Sequence, residues 1–173
     1  SIKINLLFVK KIINFTPTGT QTTRKNSYAP FLPNEIIESV HEANELGISI
    51  VHLHARDEVT LENSYKKEVY QKIIEGIQKH CPDLLICVSL TGRNFPELEK
   101  RAEVLQLHPD MGSLTMSSLN FPSGASVNQP NKLYKTLDGW LKGNGIANLR
   151  TSSTPGAPSI SRTCVGSIRS LWP

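Results

Sequence analysis

The feature that most constrains the fold is an apolar run that ends in two histidines. Residues 47–57 read Gly-Ile-Ser-Ile-Val-His-Leu-His-Ala-Arg-Asp, a β-branched stretch that follows a helix-ending glycine. Because side chains alternate between the faces of a strand, His52 and His54 share one face while Val51 and Leu53 share the other. The imidazoles are then about 6.6 Å apart along the strand. That spacing allows both to bind one divalent metal at roughly 2.0–2.1 Å each.

Each histidine also has a structural interpretation, in which it forms a hydrogen bond within a core. A lone histidine would favour that interpretation. Two histidines on one face at the carboxyl end of a strand, beside Arg56 and Asp57, favour a site instead. The sequence therefore predicts a metal site with His52 and His54 as ligands. The pair does not complete the site, because a catalytic zinc takes three protein ligands.

Size and composition fit one soluble domain. The chain has 173 residues, of which 38% are hydrophobic and 20% charged, enough to bury a sizeable core. The net charge of +4 comes from scattered basic pairs without interleaved aromatics, so we expect no nucleic-acid partner. Cys81, Cys87 and Cys164 lack CxxC spacing and predict reduced thiols in a cytoplasmic protein. No run approaches the roughly 20 apolar residues of a membrane span, so we expect no membrane partner.

Strands and helices alternate along the chain. The patterns predict strands at 11–16, at the His-x-His run, at 84–89 and at 111–117. They predict helices at about 35–46 (with Asn34 as N-cap and Gly47 as stop), at 66–80, after Pro96, and at 130–142. This order requires parallel strands with helical crossovers. A doubly wound open sheet and a (β/α)8 barrel both qualify, although no Gly-x-Gly-x-x-Gly or Gly-Lys-Ser/Thr supports a nucleotide fold.

A second regularity favours the barrel. Each predicted strand ends with polar groups on one face, and the residues between them are mostly apolar. One face then meets the helices, while the other converges on a polar mouth at the carboxyl ends, where barrel active sites lie. Ser and Thr are common in strands, so chance explains a polar residue at the end of any one strand. It explains less well why all four strands end in this way. The predicted fold is α/β, a partial TIM (β/α)8 barrel of about four βα units. The polar groups are Asn14, Thr16, His52, His54, Ser89, Ser113 and Thr115.

Five stretches together resemble the β-keto acid cleavage enzymes, whose namesake is 3-keto-5-aminohexanoate cleavage enzyme. They are IINFTPTG at 12–19, VHLHARD at 51–57, VSLTGRNF at 88–95, PDMGSLTMSSLNF at 109–121 and the Asn-Gly-Ile turn at 144–146. The resemblance implies a zinc-bearing (β/α)8 barrel that uses acetyl-CoA to cleave a β-keto acid, giving acetoacetate and a new acyl-CoA. The expected partners are therefore a β-keto acid and acetyl-CoA, with a homo-oligomer for the full-length family member.

The same resemblance assigns candidate site residues. His52 and His54 match two zinc ligands of the family. Substrate-contacting positions are matched by Gln21, Ser89, Gly92, Ser113 and Thr115. Gln21 stands where the namesake has a Glu that meets the amino group of its substrate, and Ser113 and Thr115 stand where it has Thr and Asp. Gln21 and Thr115 therefore predict a different β-keto acid, neutral or anionic.

Arg56 is a candidate anion contact for the substrate. An equally simple alternative is a salt bridge to Asp57 or to a neighbouring carboxylate that stiffens the mouth of the barrel. Both alternatives remain open on the sequence alone.

The resemblance covers residues 11–146 and leaves a short N-terminal extension at 1–10. The family's general base and third zinc ligand, an Asp and a Glu, lie in later strands, so no catalytic residue is assigned. Residues 147–173 contain Arg but no Asp or Glu and are rich in Ser, Thr and Pro, a composition typical of disorder. We expect an irregular tail from a non-native reading frame and a truncated, poorly active chain. The alternative is a genuine basic, Ser-rich extension.

Two rival functions differ from this one in kind. A metal-dependent barrel hydrolase also uses His-x-His, but on its first strand, whereas a whole βα unit precedes the motif here. The chain would alternatively be an inactive barrel fragment or a basic-tailed binding module. A requirement for acetyl-CoA would distinguish the β-keto acid cleavage enzyme from a hydrolase. Metal binding by His52 and His54 would distinguish it from a mere binding module.

Overall fold

A computed structural model describes residues 12–19, 28–90 and 94–115, and further along the chain the backbone of four short strands. In chain order the elements are β1 (Asn14–Phe15), α1 (Pro33–Glu45), β2 (Ile50–Leu53), β3 (Ala55–Arg56), β4 (Asn63–Ser64), α2 (Lys67–His80), β5 (Leu85–Ser89), α3 (Leu98–Ala102) with a 3-10 turn at Glu103–Leu107, β6 (Met111–Thr115), β7 (Leu119–Phe121), β8 (Gly124–Ser126), β9 (Leu149–Thr151) and β10 (Arg162–Gly166).

The central sheet has the strand order β1-β2-β5-β6-β10-β9. The first four strands are parallel, with Phe15 beside Val51, Val51 beside Ile86 and Val88 beside Gly112. Helices α1, α2 and α3 connect successive members of this parallel group, whose spatial order follows the order of the chain. The strand pairs β3–β4 and β7–β8 form separate antiparallel hairpins. The predicted α/β fold with parallel strands and helical crossovers is confirmed.

Helix α1 begins two residues before its predicted start. Its N-cap is Leu32 and not Asn34, because Pro33 fits the first turn, where its missing N–H is not needed. The Glu35 carboxylate accepts hydrogen bonds from the N–H groups of Leu32 (3.0 Å) and Phe31 (2.9 Å), which lower the pKa of Glu35. The helix ends before Gly47, as predicted. Gly47 has a φ of +88°, which glycine adopts without strain.

The third helical segment begins after Pro96, as predicted, and changes from an α-helix to a 3-10 turn. Helix α3 is followed by a 3-10 turn that ends at His108, where φ is +49°. Pro109 follows directly, and a proline disfavours helical geometry in the residue before it. None of the helices that the structure describes is both long and apolar enough to cross a membrane.

The hydrophobic core lies between the parallel sheet and helices α1 and α2. Val51 and Leu53 of β2 are fully buried there, together with Val88 of β5. Burying each such side chain stabilises the fold by about 1.5–3 kcal/mol. The helices contribute Ile36, Val40, Ile73 and Ile77 to the same cluster. One face of β2 is thereby fixed against the helical layer.

The C-terminal tail is not irregular throughout, which corrects one expectation. Strands β9 and β10 lie within it, and β10 pairs antiparallel with both β6 and β9. The alternating β-branched residues Thr163 and Val165 suit a strand, and the free edge of β6 offers unpaired backbone groups. The predicted fourth helix (130–142) and the extension at 1–10 lie outside the described residues. The domain division at residue 146 stays a prediction.

Candidate functional site

His52 lies in β2 and His54 directly follows that strand. The two side chains are adjacent at the carboxyl end of β2. The ring centroids of His52 and His54 are 5.0 Å apart, and the ring planes are inclined by 31°. Both side chains are half-buried, whereas Val51 and Leu53 are fully buried in the core. The two imidazoles therefore share the face of β2 that points away from the helices.

Both ring nitrogens of His52 face groups on neighbouring strands. Nδ1 is 3.6 Å from Sγ of Cys87 on β5, and Nε2 is 3.4 Å from Oγ of Ser113 on β6. The sheet register explains these contacts, because His52 is paired with Cys87 and Ser89 is paired with Ser113. Three parallel strands thus place one thiol and one hydroxyl group beside the same imidazole.

The structure brings Ser89 and Ser113 to the same end of the sheet as the histidines. Both serines are half-buried, and the N–H of Leu90 donates to the carbonyl of Ser113 at 3.0 Å, which keeps β5 and β6 paired there. Thr115 is the last residue of β6, and its side chain is not described. Gln21 and Gly92 lie outside the described residues, so their roles stay predictions.

Arg56 is fully buried and contacts the loop between β1 and α1. Its Nη2 donates to the carbonyl of Gly19 at 2.8 Å, and its guanidinium carbon lies 5.7 Å from the centroid of the Phe31 ring. Burial lowers the pKa of Arg56. These contacts tie β3 to the loop that leaves β1.

Asp57 closes the turn that follows β3. Its carboxylate accepts hydrogen bonds from the N–H groups of Thr60 at 2.9 Å and Val59 at 3.0 Å. These bonds lower the pKa of Asp57. The carboxylate thereby orders the β3–β4 hairpin beside the histidines.

A small cavity adjoins His54 and is lined by residues of the loops that follow β4 and β5. The rings of Tyr65 and Phe95 meet edge to face there, with centroids 4.7 Å apart. Arg101 of α3, only 6% exposed, also lines the cavity, and its Nε donates to the carbonyl of Leu90 at 2.8 Å. Sequence reasoning missed Arg101, because nothing in the pattern of α3 separates it from the exposed charges around it.

Cys87 was likewise not predicted to lie at the site. Alternation along Leu85–Ser89 places Cys87 and Ser89 on one face of β5, and this pattern was available in the sequence. The sequence did not determine the register between β2 and β5. In the structure, this register pairs His52 with Cys87 and not with Ile86 or Val88.

The donor set fits part of a metal site. Two imidazoles on one face suit zinc, but a catalytic zinc takes three protein ligands. Within residues 12–19, 28–90 and 94–115, no group of three His, Cys, Asp or Glu side chains is placed to hold a metal ion. The described residues therefore offer two ligands, and the presence of zinc stays a prediction.

The family model for the β-keto acid cleavage enzymes matches residues 10–147, which contain both histidines, both serines and Arg56. The chain belongs to the β-keto acid cleavage enzyme family. This membership confirms the resemblance inferred from the five motifs. It also disfavours a barrel hydrolase and an unrelated binding module, whereas the inactive barrel fragment stays a prediction.

Two curated relatives are named for acetyl-CoA-dependent acyl transfer and for keto-acid cleavage. The chain is 37% identical over 120 residues to a 3-oxoadipate:acetyl-CoA acetyltransferase of Cupriavidus necator, covering 69% of this chain and 42% of that protein. It is 34% identical over 114 residues to a 3-keto-5-aminohexanoate cleavage enzyme of Fusobacterium nucleatum, covering 65% and 41%. The chain thus spans about two fifths of the length of these relatives.

Solved structures of ObcA show a similar fold. The apo structure superposes with a TM-score of 0.62 at 22% identity, covering 68% of this chain and 29% of that one. The binary complex with oxaloacetate gives a TM-score of 0.59, also at 22% identity, covering 65% and 28%. At this identity the similarity supports the fold alone.

Proposed function

We propose that this chain forms the metal-binding and keto-acid-binding half of a zinc-dependent β-keto acid cleavage enzyme. The complete enzyme would use acetyl-CoA to cleave a β-keto acid, giving acetoacetate and a new acyl-CoA. One observation carries the proposal: two adjacent imidazoles (His52 and His54) lie beside a hydroxyl (Ser113) at the carboxyl ends of parallel strands, within the segment that matches the family.

His52 and His54 would hold the zinc, and the third ligand would come from chain outside the described residues. Zinc bound there supplies Lewis-acid polarisation of a keto oxygen and stabilises negative charge on it. The geometry supports this role, because both imidazoles face away from the core and reach the same end of the sheet.

The hydroxyls of Ser89 and Ser113 would orient the substrate. Each can donate a hydrogen bond to a carboxylate or to an oxygen that gains charge during the reaction. Arg56 has a different role in this proposal from the predicted anion contact. Through Gly19 it holds the loop that continues toward Gln21.

The proposed substrate is a neutral or anionic β-keto acid. Gln21 replaces the Glu that the namesake uses for an amino group, and an uncharged amide does not select a cation. A relative named for 3-oxoadipate supports the anionic alternative. We therefore propose a β-keto dicarboxylic acid as the first substrate to test.

The proposed architecture is part of a (β/α)8 barrel. The four parallel strands lie in the sheet in chain order, as consecutive strands of such a barrel do. A doubly wound sheet would instead reverse its strand order at a switch point. We also propose a cytoplasmic homo-oligomer. Cys81 and Cys87 are buried and form no disulfide bond, which supports the reducing compartment.

The test measures acetoacetate formed from 3-oxoadipate and from 3-keto-5-aminohexanoate, with and without acetyl-CoA and zinc. We expect slow turnover that needs both additions, prefers 3-oxoadipate and disappears in the His52→Ala/His54→Ala variant. Cleavage of the keto acid without acetyl-CoA would instead identify a hydrolase. Zinc-loaded protein that neither binds 3-oxoadipate nor forms acetoacetate, even at high protein concentration, would contradict the proposal.

A further inference from the structure

Cys87 lies at the middle of β5, directly beside His52 in the sheet register. It is only 1% exposed, and its Sγ lies 3.6 Å from Nδ1 of His52. The thiol also lies 4.0 Å from the carbonyl of Val88, to which it can donate. When its proton points to that carbonyl, the sulfur presents lone pairs to the imidazole, and a thiol sulfur is a weak acceptor.

The opposite side of the His52 ring faces a donor. Oγ of Ser113 lies 3.4 Å from Nε2, and a hydroxyl can turn its proton toward a nitrogen lone pair. An acceptor at Nδ1 and a donor at Nε2 select one neutral tautomer, with the proton on Nδ1. A histidine that binds a metal usually has this arrangement, because an acceptor holds the nitrogen that does not bind the metal.

We propose that Cys87 is a positioning residue for His52. Its sulfur accepts the Nδ1–H, fixes the orientation of the ring and leaves Nε2 as the metal-binding atom. The inference rests on the zinc site of the proposed function and extends it to a residue outside the predicted set. Because sulfur is a weaker acceptor than a carboxylate or a carbonyl, it holds the ring less tightly than those groups would.

A competing role for Cys87 is that of a third metal ligand. The described side chains do not support this role, since no three His, Cys, Asp or Glu groups among them are placed to hold a metal. The sulfur also lies within hydrogen-bonding distance of the imidazole and of a backbone carbonyl. The positioning role therefore fits these contacts better, and the experiment separates the two.

The experiment compares cobalt(II) binding by the full chain and by three variants. Cys87→Val removes the acceptor at similar volume, and Cys87→Ser keeps an acceptor. Cys81→Val is the matched control at a second buried cysteine that forms no disulfide, at the end of α2. We expect about a 10-fold loss of affinity for Cys87→Val, the lower end of the usual cost of removing such a partner, because sulfur is a weak acceptor. Cys87→Ser should lose much less, and Cys81→Val should match the wild-type protein.

A second measurement does not depend on the metal. Nitrogen-15 spectra of the imidazoles report which ring nitrogen of His52 carries the proton in the metal-free chain. We expect the Nδ1–H tautomer in the wild-type protein and in Cys87→Ser, and a mixture of tautomers in Cys87→Val. A Cys87→Val protein that loses its wild-type circular dichroism spectrum is replaced in both measurements by Cys87→Ala.

Two results would overturn the proposal. One is an unchanged tautomer of His52 together with unchanged cobalt affinity in the folded Cys87→Val protein. The other is a thiolate-to-cobalt charge-transfer band that Cys87→Val abolishes, because it would make Cys87 a ligand. If the wild-type chain binds neither cobalt nor zinc, the zinc site of the proposed function fails, and the tautomer measurement alone decides the role of Cys87.

Discussion

The two faces of the segment formed by β2 and His54 have different roles. On the helical face, Val51 and Leu53 are fully buried against α1 and α2. On the other face, His52 and His54 are half-buried, polar and in contact with each other. Alternate residues of one short segment thus supply the core and the candidate site. The apolar face positions the backbone, and the polar face then has its geometry fixed by that backbone.

A second pair of histidines shows why the strand matters. The rings of His41 on α1 and His80 on α2 are 5.6 Å apart, nearly as close as those of His52 and His54. Both are exposed on the outside of the helices, away from the carboxyl ends of the strands. Proximity of two imidazoles is therefore not sufficient to indicate a site, and the contacts of His52 with Cys87 and Ser113 make the difference.

The largest expected effect comes from the helical face. Leu53→Ala should lower the free energy of unfolding by about 2–5 kcal/mol, because it leaves a cavity in a packed core. The measurement is urea unfolding monitored by circular dichroism. Leu46→Ala, at a side chain that is 85% exposed, is the matched control and should change stability by about 0.5 kcal/mol or less. Equal losses for the two variants would contradict the assigned core.

The next effect concerns the polar face. His52→Ala/His54→Ala should weaken zinc binding by at least about 100-fold, since loss of an indirect partner of a ligand already costs about 10- to 100-fold. Competition with a chelating dye measures the affinity. The His41→Ala/His80→Ala variant should bind zinc like the wild-type protein. If this outer pair accounts for the binding instead, the comparison between the two pairs fails.

A smaller effect is expected at Ser113. Ser113→Ala removes one hydroxyl at the polar face, and a single hydrogen bond contributes about 0.5–1.5 kcal/mol. We therefore expect KM for the keto acid to rise about 2- to 10-fold in the acetoacetate assay. Ser49→Ala, at the residue just before β2 and therefore far from its carboxyl end, is the control and should leave KM unchanged. A KM for Ser113→Ala equal to that of the wild-type protein would remove this serine from the substrate site.

The smallest effect concerns the start of α1. Hydrogen bonds from Leu32 and Phe31 lower the pKa of Glu35, so the ionised carboxylate stabilises the folded state at neutral pH. This contribution is complete above the unfolded pKa of about 4.3 and is lost as the pH falls through the lower, folded value. Glu35→Gln should therefore be less stable by about 0.3–1 kcal/mol at neutral pH.

The pH dependence provides the measurement for Glu35. Urea midpoints of the wild-type and Glu35→Gln proteins should differ at pH 7 and converge in acid. Glu38→Gln, one turn later on the same helix, is the control and should show a smaller difference at pH 7. Zinc affinity should not change in either variant, because α1 belongs to the helical face. A stability difference that grows as the pH falls would contradict the assigned capping role.

Local patterns predicted the elements well where one face is buried. The alternation of Val51, His52, Leu53 and His54 is a property of the strand itself, and the helix over Lys67–His80 agrees closely with the predicted range. The start of α1 was less accessible. A carboxylate in the first turn, at Glu35, competes with the obvious cap at Asn34, and only the folded geometry shows which arrangement forms.

Contacts between strands were less predictable. The pairing of His52 with Cys87 depends on the register of β2 against β5, which two separate sequence patterns do not determine. Burial of Arg101 depends on where the short α3 packs. In the tail, a composition typical of disorder concealed the alternation Thr163-Cys164-Val165, which forms a strand when a sheet edge is available to pair with it.

The antiparallel strand β10 has a consequence for ring closure. It pairs with β6 over five residues, from Met111 to Thr115. A barrel that continued in chain order would insert its fifth parallel strand at that same edge. Completion of the ring would therefore require β10 to be displaced first, by an exchange of strands that breaks one ladder before forming the next. In this structure a strand of the same chain, β10, already occupies the edge of β6 where a fifth parallel strand would pair.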